Sequence, residues 1–403
     1  MMEFKLNVGD MTEDAVQASV EDAFSSDFVF HSPSRIGGKE VTDVLVLFDD
    51  LGIVVESKAQ AIGGSSSLSW AKKNLKKAVN QTTGAIRALR DGRVPHVENE
   101  RRGQVPFSIE EFKFLYALVI LHHESESYDP YDVFPDIKRL KHPVHVLSFR
   151  DFWNLSKYLD TAADLISYIE SRSIVLIPTL KPRVHEESNA FRYYLEHLEE
   201  IKVAEARAHG DSSFRSEDAE PYAQQMRDMI SQAHPDIKAG RVIDHMIEKI
   251  HVQDPQLRTL DLGGKAISWA DKTTYAKIAT ALGMIPRVRR ISLGRKYIQI
   301  AEKAAETQND ESFWTFSQKR SQFMFFVSSP LPRSDREKRA KDLLTMTVLG
   351  KNYFRANKAL GVATGQAGEM GSSYDFVLLE SPSQKPDDET LRLGQEFFGK
   401  NNN

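Results

Sequence analysis

Apolar and polar positions alternate along this chain in two rhythms, one of period near 3.6 and one of period 2. Residues 12–24, TEDAVQASVEDAF, put Ala15, Val16, Val20 and Phe24 on one helical face behind Thr12 as a cap. Phe28, Val29 and Phe30 read as a short strand, and SPSRIGG at 32–38 as a loop. EVTDVLVLF at 40–48 and IVVESKAQ at 53–60 are rich in branched residues and predict two strands, joined by a tight turn over Asp49, Asp50, Leu51 and Gly52. GGSSS at 63–67 reads as a flexible connection. A long helix over 68–91 follows, with Leu75, Val79, Ala85, Ile86 and Leu89 inward. FKFLYALVIL at 112–121 and HPVHVLSF at 142–149 predict buried strands around the polar loop SESYDPYDVFPDIKR. Residues 151–172 then predict one amphipathic helix with Phe152, Leu155, Leu159, Leu165, Ile166 and Ile169 on its stripe.

The pattern next turns helical, with segments expected at 188–207, 217–232, 238–251, 269–283 and 295–307, interrupted by a turn at 254–264. A strand at 321–329, a helix at 334–354 and strands at 358–365 and 374–381 close the series, ahead of a partly loose tail from Pro382. The expected class is α/β: a mixed sheet flanked by helices over 1–173, a mostly helical accessory region over 174–310, a small α/β domain over 311–390, and a tail at 391–403.

Composition narrows the setting. The chain has 403 residues, more than one core usually holds, with 41% hydrophobic and 27% charged residues and no cysteine. Disulfides, cysteine nucleophiles and thiolate metal sites are excluded, and a reducing compartment is expected. The N-terminus has no apolar core of signal-peptide length, and no apolar run reaches the roughly 20 residues that cross a bilayer. The expectation is a soluble, cytoplasmic protein without membrane contact. A net charge of −4 gives no global field for a polyanion, although bound cations or local basic patches can supply one.

The hairpin carries the candidate chemistry. Strand alternation puts Asp43 on the face of Leu45 and Leu47, and Glu56 and Lys58 on the face of Val54. A turn at Asp49-Asp50 pairs residue 43 with 56, and a turn at Asp50-Leu51 pairs it with 58; both gather two acids and an amine on one side. Two carboxylates so close repel each other unless a cation lies between them, and oxygen ligands suit Mg²⁺ or Mn²⁺.

In these residues the passage resembles the PD-(D/E)xK phosphodiesterase superfamily, the restriction-endonuclease-like fold, near its Mrr-like branches. Asp43 matches the first-strand aspartate and Glu56-Ser57-Lys58 the E-x-K signature, although Thr42 stands where the superfamily's name has proline. The resemblance implies a metal-dependent DNA endonuclease. Asp43 and Glu56 ligate the metal, and Lys58 acts on the attacking water. A glutamate of the preceding helix joins the metal set, with Glu21 chosen ahead of Glu13 and Asp22. Gln81 assists from the helix after the hairpin. The resemblance also implies restriction or anti-phage defence, and a homo-oligomer or a defence partner protein. A nuclease-fold binding module without catalysis, and an RNase or single-strand nuclease, remain alternatives. The likeness covers residues 12–90, extends loosely over 110–172, and stops there.

Other features weigh less. Lys72, Lys73, Lys76 and Lys77 on the second helix, and Arg287, Arg289, Arg290, Arg295 and Lys296 after Pro286, are candidate phosphate contacts or solvated faces. A second basic run spans Arg333 to Lys341. His122-His123 with Glu124 and Glu126 lacks a third spaced metal ligand, and His142 and His145 read as structural or surface groups. Gly361, Gly365, Gly368 and Gly371 lack the phosphate-loop form. Trp314, Phe316, Phe323, Phe325 and Phe326 read as core.

Overall fold

The computed structural model describes residues 8–34, 37–60, 67–123, 143–176, 187–231, 237–250, 259–262, 265–268, 272–317, 320–330, 336–365, 374–382 and 385–399. The loop after His123, the GGSSS connection up to residue 66, most of the turn at 254–264, and Gly368 and Gly371 lie outside them, as do Glu124, Glu126 and His142. The chain divides into two compact units, Met1–His234 with Pro286–Val288, and Pro235–Ile285 with Arg289–Asn403. No helix among the described residues is long and apolar enough to cross a membrane.

In the first unit, helix α1 (Val8–Phe24) leads into β1 (Val29–His31), β2 (Val44–Phe48) and β3 (Leu51–Gln60), an antiparallel meander. Helix α2 (Ser67–Arg90) and an antiparallel ribbon, β4 (His96–Asn99) with β5 (Gly103–Pro106), return the chain to β6 (Phe114–His123), parallel to β3. A parallel edge strand, β7 (Val144–Ser148), completes a five-stranded mixed sheet ordered β1-β2-β3-β6-β7. The two-residue turn at Asp49-Asp50 forms, with Asp49 left-handed at φ +55°. Leu51 and Gly52, expected in the turn, instead pair with Phe48 and Leu47. A Cβ on Gly52 would lie 2.7 Å from Leu115 Cδ2, so a larger residue there would push that leucine aside.

Phe30, Leu45, Leu47, Val54, Ala117, Val119 and Leu121 share one face with the inward side of α2. Helix α1 packs against β3 on the opposite face. The β4–β5 ribbon had no clear alternation to announce it. Asn99 Nδ2 donates to the carbonyls of Ser26 and Val29, and Arg101 pairs with buried Asp27, which holds the ribbon near β1.

The single helix expected over 151–172 is two helices, α3 (Phe149–Leu159) and α4 (Ala162–Ser171). Asp160 adopts φ +44°, and Thr161 Oγ1 accepts a bond from Asp164 N, so the chain stops one helix and caps another. The unit also continues past residue 173. Arg172 and Glu187, both buried, pair at 2.7 Å, and Tyr222 Oη donates to Asp164. These bonds tie in α5 (Glu187–Glu196), α6 (Leu198–Ala208) and α7 (Ser216–Ser231), with the expected 188–207 helix divided at His197.

The second unit contains α8 (Ile237–Lys249), a short ribbon β8 (Thr259–Leu262) and β9 (Lys265–Ser268), and α9 (Lys272–Gly283). Helix α10 (Arg287–Thr307) starts directly after Pro286, a residue pre-set for a helix start, and therefore earlier than the apolar pattern suggests. The sheet of this unit is ordered β10-β11-β12-β13: Glu311–Ser317, Gln322–Ser328, Lys358–Thr364 and Tyr374–Glu380. β11 and β12 are parallel across α11 (Arg336–Tyr353), and both outer pairings are antiparallel. The expected strand–helix–strand–strand order forms, with β10 added in front. The tail is ordered as α12 (Asp388–Phe398): Asp387 caps Thr390 N, and Phe398 packs in the core with Phe323 and Phe325.

Candidate functional site

Pairing of Val44 with Val55 sets Asp43 opposite Glu56, the first of the two registers the turn allows. Beyond Val44 the first strand leaves the ladder, and side chains take over the bonds its backbone gives up. Thr42 Oγ1 donates to Val55 O at 2.7 Å. Ser57 donates to Asp43 Oδ2 twice, from its backbone N at 2.7 Å and from its hydroxyl at 3.1 Å. Ser32 N holds Asp43 O from the β1 side at 2.9 Å. A strand end whose polar groups are satisfied this way opens a notch without leaving buried backbone unpaired.

Lys58 closes the cluster. Its ammonium donates to Glu56 Oε2 at 3.2 Å and to Ser57 O at 2.6 Å, and lies 3.9 Å from Asp43 Oδ2. The side chains of Glu56, Lys58 and Asp43 are 1%, 13% and 20% exposed, so solvent reaches the group from the Asp43 side. Burial, followed by the charge of Asp43, pushes the Glu56 carboxyl up to about 7, while Lys58 and Thr42 pull it down. Asp43 Oδ1 takes no hydrogen bond among the described residues. The arrangement thus offers two carboxylates and one amine in a partly dry notch.

The other expected site residues fall elsewhere. Glu21 Oε1 sits 2.5 Å from His31 Nε2, and His31 pairs with Val44, on the face opposite Leu45, Val54 and Glu56. The expected metal set of Asp43, Glu56 and Glu21 therefore does not assemble, and no group of three or more His, Cys, Asp or Glu gathers as a metal cluster among the described residues. Helix-to-strand packing places Glu21, and strand alternation alone could not have shown which face it serves. Asp22 pairs with Lys157, and the side chain of Glu13 lies outside the described residues. Gln81 is exposed on α2 and makes no hydrogen bond to the notch among the described residues.

Lys72, Lys73 and Lys76 are exposed on α2. Of Arg287, Arg289 and Arg290 only Arg289 is exposed, as are Arg295 and Lys296 further along the helix. Arg287, 3% exposed, binds Asp160 through its carbonyl and carboxylate, and Arg290, 6% exposed, binds Asp244 and the carbonyls of Gly283 and Ile285. Both are structural, which corrects their reading as nucleic-acid contacts: near-neighbour charges in sequence hide how far apart a helix throws them. His123 packs on Trp70 and His122 on Phe149. His145 is buried beside Arg172, and burial, aided by that cation, holds it well below the usual histidine range. Gly361 lies within β12, where a Cβ would meet Thr347.

A second acidic cluster escaped the sequence reading. Glu170, Glu205 and Lys202 meet on α4 and α6, with Ser171 and Lys202 both donating to Glu205. Burial, then the charge of Glu205, raises Glu170 to about 7. Lys202 and Glu205 are neighbours on α6, but Glu170 comes from another helix, so no local spacing marks the cluster.

Compared with protein-family profiles, with curated proteins and with solved structures, the chain shows no match.

Proposed function

We propose that the Asp43–Glu56–Lys58 notch is the active site of a metal-dependent phosphodiesterase, a DNA endonuclease of restriction-endonuclease-like type. The observation that carries this reading is the convergence of two opposed carboxylates and an amine where β2 leaves β3. The mixed sheet with helices on both faces, and the hairpin set between α1 and α2, agree with it.

The donor set fits a hard divalent cation. Mg²⁺ is commonly held by one or two carboxylates, with water and substrate phosphate completing its shell, so Asp43 and Glu56 suffice without Glu21. When bound, Mg²⁺ or Mn²⁺ supplies positive charge for the phosphate and makes a coordinated water more acidic. Ser57 fixes the Asp43 carboxylate through two bonds to one oxygen and leaves the other oxygen open. Thr42 holds the edge of β3 at Val55. Lys58, anchored on Ser57 O and Glu56, presents an ammonium that orients a water or offsets charge on a phosphoryl oxygen. Restriction or anti-phage defence, with paired copies cutting both strands, is the setting this activity implies.

Plasmid DNA incubated with the full chain and 5 mM Mg²⁺ or Mn²⁺, conditions on the order of those metal sites require, is expected to be nicked and linearised. Asp43→Ala is expected to abolish cleavage. Parallel single-stranded DNA and RNA substrates decide between the duplex reading and its competitors. That no third acid joins the notch among the described residues favours one rival, a binding module without catalysis. Titration calorimetry showing no Mg²⁺ or Mn²⁺ binding, together with intact plasmid, would establish that rival instead.

A further inference from the structure

Helix α2 carries six basic residues, Lys72, Lys73, Lys76, Lys77, Arg87 and Arg90, and no aspartate or glutamate. The acid-free stretch runs from Lys58 to Arg90 in a chain whose net charge is −4. At 3.6 residues per turn the six cations fall within a sector of about 140°, and they span about 27 Å along the axis. The opposite sector holds Ala71, Leu75, Ala78, Thr82, Ala85 and Leu89, all buried. All six cations are exposed, and none has an ion pair among the described residues.

Several exposed cations elsewhere are paired: Lys113 with Asp50, Lys157 with Asp22, Lys303 with Glu311, Lys277 with Glu380. An unneutralised ridge of like charges costs helix stability through repulsion at i,i+4, as between Lys72 and Lys76 or Lys73 and Lys77. Gly84 is a second, independent oddity. It sits mid-helix, inside the same sector and between Lys77 and Arg87 along the axis, with nothing within 4 Å of where a Cβ would stand. Nothing inside the fold requires glycine there, and glycine weakens a helix interior relative to alanine. A bare backbone flanked by cations lets a ligand's own backbone approach closely.

From these observations we infer that the outer ridge of α2 is a docking track for the sugar-phosphate backbone of a polynucleotide. The inference rests on the phosphodiesterase reading for its biological sense and extends it: the substrate is a long polyanion, gripped over several phosphates by a helix whose inner side packs on the sheet face carrying Glu56 and Lys58. Asn80 and Thr83, uncharged and in the same sector, complete a surface without repulsion for phosphate.

The test is metal-free binding of the full chain to a labelled 25-base-pair duplex by fluorescence anisotropy across a salt series, with single-stranded DNA and RNA arms to distinguish the polynucleotide source. Replacing four cations, K73Q/K76Q/K77Q/R87Q, is expected to weaken duplex binding about 10²-fold at 0.1 M salt and to flatten the salt slope by about 3–4, near 0.9 for each phosphate no longer neutralised. A control with equal charge removal, R192Q/K303Q/K385Q/R392Q, is expected to bind as the parent does. Gly84→Glu, at an open position on the ridge, is expected to lose at least tenfold, and Gly84→Ala to bind less tightly while melting no lower than the parent. Unchanged affinity and slope in both the four-residue variant and Gly84→Glu overturns the inference, and so does preference for phosphatidylglycerol vesicles over every polynucleotide. Because no metal is present, failure of plasmid cleavage leaves this result untouched, and failure of ridge binding leaves the Asp43 reading to its own test.

Discussion

Two clusters in the first unit have nearly the same contents and opposite prospects. Asp43, Glu56 and Lys58 meet at the end of a hairpin; Glu170, Glu205 and Lys202 meet between helices α4 and α6. Each sets two carboxylates around one lysine, and each pushes a glutamate up to about 7, by burial first and by the neighbouring acid second. Around Lys202, burial pulls the amine down, but Glu205 and its neighbours overcome that and raise it, so the lysine stays charged and serves as a counterion. The difference lies in the surroundings rather than in free carboxylate oxygens, since Glu170 accepts no hydrogen bond among the described residues and only faces His209 at 3.7 Å. Both Glu205 oxygens are taken, by Ser171 and Lys202, and Lys202 also donates to Ser167. Further acid crowds in from Asp50, which with Glu170 and Glu205 helps burial raise Tyr116. At the hairpin an Asp43 oxygen remains open, and the adjoining helix carries six basic residues and no acid. A raised glutamate therefore marks a dry, crowded carboxylate and does not by itself mark a site; the acid-free helix beside the hairpin is what sets the two clusters apart.

The largest effect should come from asking which cluster cleaves. Asp43→Ala is expected to reduce Mg²⁺-dependent plasmid cleavage by about 10³-fold or more, the scale of removing a principal electrostatic group from an active site. Glu170→Gln is expected to stay within about twofold, since it touches no reacting group. If Glu170→Gln stops cleavage in a folded protein, the comparison breaks.

Stability should treat the two glutamates alike. Both hold protons more tightly folded, near 7, than unfolded, near 4.5. The folded state thus binds more protons, and the stability this contributes is complete below about 4.5 and is lost as pH rises through 7. Glu56→Gln and Glu170→Gln should each relieve up to about 3 kcal/mol of that loss at pH 8 and little at pH 4.5. Urea unfolding at the two pH values measures it. Equal parent stability at both, or glutamine variants weaker at pH 8, would contradict the burial argument. Only Glu56→Gln should also lose cleavage, which separates protonation cost from function.

Why one cluster was legible and the other not follows from how each is encoded. Asp43, Glu56 and Lys58 lie within sixteen residues, on strands whose alternation fixes facing and whose turn fixes register. Local rules suffice there. Glu21 lies nearby in sequence, yet whether it reaches Asp43 or His31 depends on how α1 packs, which no local period records. Arg287 and Arg290 looked like surface charge because their acids, Asp160 and Asp244, are 127 and 46 residues away. Glu170, Glu205, Lys202 and Asp50 have the same difficulty. Most strands and helices with clean periods were readable, but β10, half-exposed along its length, and the short β8–β9 ribbon were not. The break at Asp160 was hidden because an apolar stripe continued across it, while the decisive features were a left-handed aspartate and a threonine cap.

The smallest effect is the most discriminating. A cation bound by the folded protein and not by the unfolded chain stabilises it by mass action, by about 1.4 kcal/mol at ten times the dissociation constant. For a unit of this size that amounts to a rise of about 3–6 °C in Tm. Mg²⁺ at 10 mM, on the order of ten times the constant of a millimolar site, should produce such a rise in the parent and in Glu170→Gln, but not in Asp43→Ala. It should be larger at pH 8 than at pH 6, because a proton on Glu56 competes with the ion and must leave when the ion binds. The Glu170 cluster, if it were the metal site, would show the same pH trend, since its glutamate titrates in the same range; the pattern of variants, rather than the pH trend, chooses between them. A shift that survives Asp43→Ala and vanishes in Glu170→Gln would move the metal to the helices and reverse the roles of the two clusters.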